Sequence, residues 1–505
     1  MLYKYRYIAI PVLLALLAGC GRPRGSRELV VVHRGMPLTM LPHKFSEVIT
    51  NSVQANILEG LVGFDRELRV IPLLAERWEN PDDLTWRFIL RPGVSFHDGR
   101  PLRPEDVRYS LNLARDDTGS ALRSVLVTVE SVTIEGRYIQ IRTAKPDPVL
   151  LNKLVLAFIV PEGSLDPGKR EAYAQAPAGT GPYRLVRFSA GERIELAFWD
   201  GYWGPAPDFR SMVIRRQPDV DQALRQLEAL EADIVTEIPA TKASELEATA
   251  NRHFRIVPRG GLTLRYLGVK FNSRPFSDLR MRRAVSLAVD RRTLVENVLH
   301  GYGSVVNQLS PEEVFGYNPT LPELEFNPAL ARRLMAQTGY PRGLALGLVI
   351  SEKRKELGLE LKRQLAQVGI ELEVRAMARE PFFKALDTAQ FFAVGYISSS
   401  GDISELYNDI IHSKGRGFGT TNYTRYRSPA IDRLIEGSNG MINQGQRIAV
   451  LQHIMALTMD ELPLIPLYNE DEIYAVSTTV EWKPRMDAMV LGKEVRLAKK
   501  TGGLR

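Results

Sequence analysis

At 505 residues the chain is long enough for about three domains of roughly 150 residues, and its 44% hydrophobic and 25% charged content excludes the disordered and fibrous classes. The single cysteine, Cys20, excludes an internal disulfide and a cysteine-based zinc or iron–sulfur site. The net charge of +7 resides at the ends, with Lys4, Arg6, Arg22, Arg24 and Arg27 at one and Lys493, Arg496, Lys499, Lys500 and Arg505 at the other. The near-neutral body between them gives no electrostatic support for a nucleic-acid groove.

In chain order, Lys4 and Arg6 precede an apolar run from Ile8 to Leu17 that is too short to cross a hydrocarbon core of about 30 Å. It predicts a signal peptide over 1–19. The stretch Leu17-Ala18-Gly19-Cys20 resembles the bacterial lipobox, which implies lipidation of Cys20, attachment to a membrane through acyl chains and a flexible tether over 20–27. An ordinary secreted protein with a chance cysteine is the alternative. Leu29 to Val32 predicts a strand, and Trp86, Phe88 and Leu90 alternate with Arg87 and Ile89 as in a half-buried strand. His97-Asp98-Gly99-Arg100-Pro101 predicts a tight turn with His97 as a packing residue, followed by a helix opening near Pro104. Gly179 and Gly181 are expected to take backbone angles that side chains disfavour. Asp290 caps the second of two helices between Ser277 and Gly301, and Asn327-Pro328 opens another that Gly339 stops.

The clearest unit spans Leu344 to Tyr396. A strand, Leu344 to Ile350, is followed by a helical stripe of Leu357, Leu361, Leu365 and Val368, closed at Gly369, and then by Ile370, Leu372 and Val374 at period two. A strand–helix–strand crossover places the two strands parallel in one sheet. A short helix from Pro381 to Thr388 leads to the strand Phe391 to Tyr396 and then to the polar loop 397–402, where open α/β sheets bind ligands. The seven histidines, at 33, 43, 97, 253, 300, 412 and 453, include no zinc-binding helical pair. Neither a nucleophile elbow nor a phosphate loop is present, and the glycines from Gly415 to Gly419 predict a plain loop. Asp402, Glu405 and Asp409 could be paired for acid–base work, as could many carboxylates among 59.

Three stretches are similar to the family 5 extracellular solute-binding proteins. The first contains Glu59-Gly60-Leu61, Pro72 to Trp78 and RPGVSFHDGRPLRPEDVRYSL. The second contains Gly179-Thr180-Gly181-Pro182-Tyr183 and Tyr202-Trp203-Gly204. The third joins LGVKFNSRPFSDLRMRRAVSLAVDR to TNYTRYRSPAIDRL. The resemblance implies an α/β, two-lobed periplasmic-binding-protein type II fold with an extra small domain inserted in the first lobe. Its expected bounds are 28–60, 176–266 and 475–505 for lobe 1, 61–175 for the inserted domain and 267–474 for lobe 2. It implies an extracytoplasmic monomer that closes around a peptide and hands it to the permease and ATPase subunits of an ABC importer, with no cofactor, metal or nucleic acid. The alternatives are an oligosaccharide or metal-chelate receptor, an extracytoplasmic sensor or an enzyme.

The resemblance also places the ligand at Tyr396, Ser398, Ser399, Ser400 and Asp402, with Met40 and Asn422 nearby. Peptide receptors of the family carry a pattern similar to G-W-x-x-D-x-x-D-P, whose first aspartate meets the peptide ammonium. Here Tyr396 replaces the tryptophan, Ser399 stands at that aspartate, Asp402 matches the second and Ile403 replaces the proline. Thr39-Met40-Leu41-Pro42 likewise departs from T-L-D-P. A hydroxyl in place of a carboxylate predicts poor discrimination between free and N-acetylated peptides, unless Asp402 takes over the amine.

Overall fold

The computed structural model describes residues 27–45, 47–248 and 253–499; the signal segment and Cys20 lie outside them. The strands in chain order are β1 Glu28–His33, β2 Val62–Phe64, β3 Val70–Pro72, β4 Ala75–Asp82, β5 Thr85–Leu90, β6 Val129–Glu135 and β7 Tyr138–Thr143. There follow β8 Tyr183–Ser189, β9 Arg193–Phe198, β10 Ser211–Arg216, β11 Ile234–Val235, β12 Phe254–Val269 and β13 Gly303–Val305. The last are β14 Leu344–Ser351, β15 Ile370–Met377, β16 Phe391–Ile397, β17 Leu464–Ser477 and the short pair β18 Val480–Glu481 and β19 Arg496–Leu497.

The large sheet runs β15-β14-β16-β12-β17-β11-β1-β10-β9-β8, with β13 beside β17. Its spine is the antiparallel pair β12 and β17, which is continuous from Phe254 opposite Ser477 to Gly268 opposite Leu464. Strands β14 to β16 attach at one end of this pair and β1, β10 and β11 at the other, so one sheet serves two lobes.

Strand directions decide where the lobes meet. β16 is antiparallel to β12, and β14 and β15 run with β16, so all three point their carboxyl ends toward the first lobe. β11 is antiparallel to β17, and β1 and β10 run with β11, so these three point toward the second. The loops that follow β1 and β16 therefore converge on the junction, the place where open α/β sheets bind ligands.

The locally encoded elements are in place. Asn327 Oδ1 accepts from the Leu330 amide at the head of the helix Pro328–Gln337, and Asp290 Oδ1 accepts from the Thr293 amide at the head of Arg291–Val298. β14 and β15 are parallel across the helix Lys355–Ala366, whose Leu357, Leu361 and Leu365 are buried against the sheet.

A second, four-stranded antiparallel sheet in the order β4-β5-β7-β6 lies wholly within residues 61–175 and packs on the helix Pro104–Asp116. Phe88 and Ile141 of this sheet belong to the same hydrophobic cluster as Phe392, Tyr407 and Leu451 of the second lobe. Residues 61–175 thus share a core with residues of the second lobe. Asn152 Nδ2 donates to Ser400 O at 2.8 Å and Gln444 Nε2 to Pro148 O at 2.9 Å across that contact. No helix among the described residues is long and apolar enough to cross a membrane.

Candidate functional site at the lobe junction

The motifs of the first lobe meet at one carboxylate. Glu59 is buried and accepts from Thr180 Oγ1 at 3.1 Å, the Tyr202 hydroxyl at 3.1 Å and Trp203 Nε1 at 2.8 Å, with Lys493 Nζ 3.9 Å away. Burial pushes its carboxyl up, opposed by Lys493 and the three donors. Gly179 and Gly181 depart from expectation, since neither has positive φ. Their requirement is close approach: a Cβ on Gly179 would lie 2.0 Å from Ile57 O, and one on Gly181 2.7 Å from the same oxygen. His97 fits between them. Its Nδ1 accepts from the Gly179 amide at 3.3 Å, and Nε2, protonated in that tautomer, donates to Gly181 O at 2.9 Å. The side chains of Glu59, Thr180, Tyr202, Trp203 and His97 thus bond from one motif to another, so the node holds the shape of the first lobe.

The second-lobe loop is built differently. Tyr396, next to last in β16, is half-buried, and its phenol lies near the Glu405 and Asp409 carboxylates. Ser398 is buried, with its amide reaching Leu262 O at 3.4 Å. Ser399 is exposed, and only its amide is engaged, to Ile397 O at 3.1 Å. The Ser400 amide donates to Glu405 Oε2 at 3.2 Å and its carbonyl accepts from Asn152. Gly401 has φ of 71°, and Leu68 of the β2–β3 turn lies 3.2 Å from where its Cβ would be.

Three expected ligand residues are committed elsewhere. Asp402 forms a two-pronged pair with Arg447, at 2.6 and 2.9 Å, with side chains 4% and 0% exposed, and it also accepts from the Ser404 amide. Asp402 therefore anchors the loop and is not free to take over an amine. Asn422 donates to the His412 and Tyr426 carbonyls and accepts from Thr424 Oγ1 and the Tyr426 amide, which fills its valences inside the fold. Met40 is fully buried among Leu29, Val53 and Ile57, because the segment after β1 turns inward there.

The junction also holds residues outside that set. Glu405 and Asp409, four apart in sequence, come beside Ser400 and Tyr396, and burial pushes both carboxyls up. Their helical spacing was the available signal. Leu38, after β1, is 70% exposed and Ile397, at the end of β16, is 58% exposed. Beside the loop, a cavity of about 550 Å³ lies between Leu68, Leu151 and Asn152 on one side and Phe315, Gly401 and Ile448 on the other. No cluster of three or more His, Cys, Asp or Glu placed to hold a metal ion occurs among the described residues.

Residues 69–417 match the sequence profile of the bacterial extracellular solute-binding proteins, family 5. The glutathione-binding protein GsiB of Escherichia coli O1:K1 is 25% identical over 487 residues, covering 93% of this chain and 94% of its own. Among solved structures, HbpA2 from Haemophilus parasuis superposes with a TM-score of 0.85 at 22% identity, over 94% of this chain and all of that one. The ABC transporter-associated periplasmic binding protein DppA from Helicobacter pylori, in complex with the peptide STSA, gives 0.73 at 20% identity, over 94% and 99%. With two lobes on shared strands, converging strand ends and a profile match over most of its length, the chain belongs to the family 5 bacterial extracellular solute-binding proteins.

Proposed function

We propose that this protein is the peptide-capturing receptor of an ABC importer, tethered outside the cytoplasm by lipidated Cys20, and that it releases its solute unaltered to the permease. The lobes take the bounds 28–60, 176–266 and 475–505 for the first and 267–474 for the second, with 61–175 inserted, and they close about the through-strands β12 and β17. The observation that carries this reading is the convergence of the β1 and β16 ends. Closure would bring Leu38 toward Ile397 and bury a peptide between apolar walls while its backbone bonds to Ser398 to Ser400.

The solute class is supported by kinship: one relative is described as glutathione-binding and one structural neighbour holds a tetrapeptide. Ser399 offers a neutral hydroxyl where a carboxylate would contribute a charge-assisted bond, a difference of about one order of magnitude in affinity. Titration calorimetry with STSA, N-acetyl-STSA, glutathione and the nickel bis-histidine complex tests the assignment. The expected result is binding of the peptides, with the free and acetylated forms within about tenfold of each other. Binding of the nickel complex alone would replace the peptide reading, and a hundredfold preference for the free amine would move the anchor to Glu405 or Asp409.

A further inference from the structure

The strands that join the lobes carry an unusual run of charge. Between Gly260, opposite Asp471, and Thr263, opposite Glu470, β12 contains two extra residues, Gly261 and Leu262. Gly261 admits no side chain, since a Cβ there would lie 2.3 Å from Glu470 O. β17 answers this bulge with three consecutive carboxylates, Glu470, Asp471 and Glu472. Glu470 is matched twice, by Arg265 Nε at 2.6 Å and Arg354 at 2.7 Å. Neither Asp471 nor Glu472 has an ion-pair partner among the described residues.

The surroundings of the pair come from several elements. β12 supplies Arg259, directly opposite Glu472, and Arg265. Glu237, just after β11, adds a further negative charge near Glu472. Arg354, after β14, is held by Glu470. The Tyr302 carbonyl accepts the Asp471 amide, and Glu247 lies by the Tyr302 phenol.

We propose that the hinge is a proton-coupled switch in which closure of the lobes takes up protons at Asp471 and Glu472. The proposal rests on the two-lobed receptor reading above. Closing the lobes over the bulge removes water from Asp471, which faces no cation, and from Glu472, whose directly opposite cation Arg259 makes no ion pair with it. Desolvation penalises only the charged form, so the closed state has the higher proton affinity and acid favours it. Burial already pushes Asp471 up to about 6 and raises Glu472, which sets the response between about pH 5 and 7.

The test needs no solute. Dyes at Ala190→Cys and Glu380→Cys, at opposite edges of the sheet in the full chain with Cys20→Ser, report the lobe distance by single-pair fluorescence transfer. The expected result is a compact population that grows severalfold from pH 7.5 to pH 5.5, is lost in Asp471→Asn and is reduced in Glu472→Gln. Glu237→Gln, outside the strand pair, should shift the midpoint down even if Asp471→Asn fails to fold. A distance distribution independent of pH, or a pH response that survives all three substitutions, overturns the switch. A peptide that binds normally in calorimetry while the switch fails would leave the receptor reading intact.

Discussion

Glu59 and Asp402 are both buried carboxylates, yet the regions around them differ in what they leave free. Glu59 is ringed by neutral donors from Thr180, Tyr202 and Trp203, which are the motif residues themselves, with the Lys493 ammonium farther off at 3.9 Å. Asp402 is held by one cation, Arg447, and beside it Ser399 and Ile397 are exposed and Tyr396 is half-buried. Motif residues that satisfy one another specify shape, whereas the proposed solute contacts sit where a loop keeps atoms uncommitted on a rigid support.

The contrast can be broken most severely at Asp402. Removing one member of a buried ion pair strands the other charge, so Asp402→Ala should cost about 3–5 kcal/mol in urea unfolding. A loss of affinity at unchanged stability would instead make Asp402 a solute ligand.

Acid should act on the first lobe next. Burial lowers His33 and His43 to about 4, below the unfolded value near 6.5, so the unfolded chain binds more protons between those values. Their contribution is complete above pH 6.5 and is lost as pH falls through 4, on the order of 3 kcal/mol for each. Asp471, raised to about 6, has the opposite sign and offsets part of the loss. Thermal unfolding against pH, compared with His43→Gln, checks this; equal slopes in the two proteins would remove His43 from the account.

Gly179→Ala presses a methyl onto Ile57 O and should cost about 1–3 kcal/mol with solute affinity unchanged. Tyr396→Phe removes the phenol that lies near the Glu405 and Asp409 carboxylates and should cost at most about 0.5–1.5 kcal/mol, measured by the urea midpoint. A larger loss for Tyr396→Phe than for Gly179→Ala would reverse the assignment of the two regions.

The sequence was most legible where the physics is local. Asn327 and Asp290 cap helices three residues away, and the crossover from Leu344 to Met377 is written in successive apolar stripes. Long-range commitments were not. Arg447 lies 45 residues from Asp402, and no spacing announces that the pair will consume the carboxylate. The glycine requirement at 179 comes from Ile57, across the first lobe, so backbone angle was the wrong reason for the right residue. Met40 stands in a stretch that only half matches T-L-D-P, and its apolar side chain belongs to the core.

The most direct test sets the two regions against each other in one experiment, with Thr180→Val for the Glu59 node and Ser399→Asp for the loop. STSA and N-acetyl-STSA are titrated into each, and each Tm is recorded. Ser399→Asp should raise the preference for the free amine about tenfold at unchanged Tm, and Thr180→Val should lower Tm and leave that preference where it was. A preference that moves with Thr180→Val and stays fixed with Ser399→Asp would contradict the division between a shape-holding first-lobe node and a solute-reading second-lobe loop.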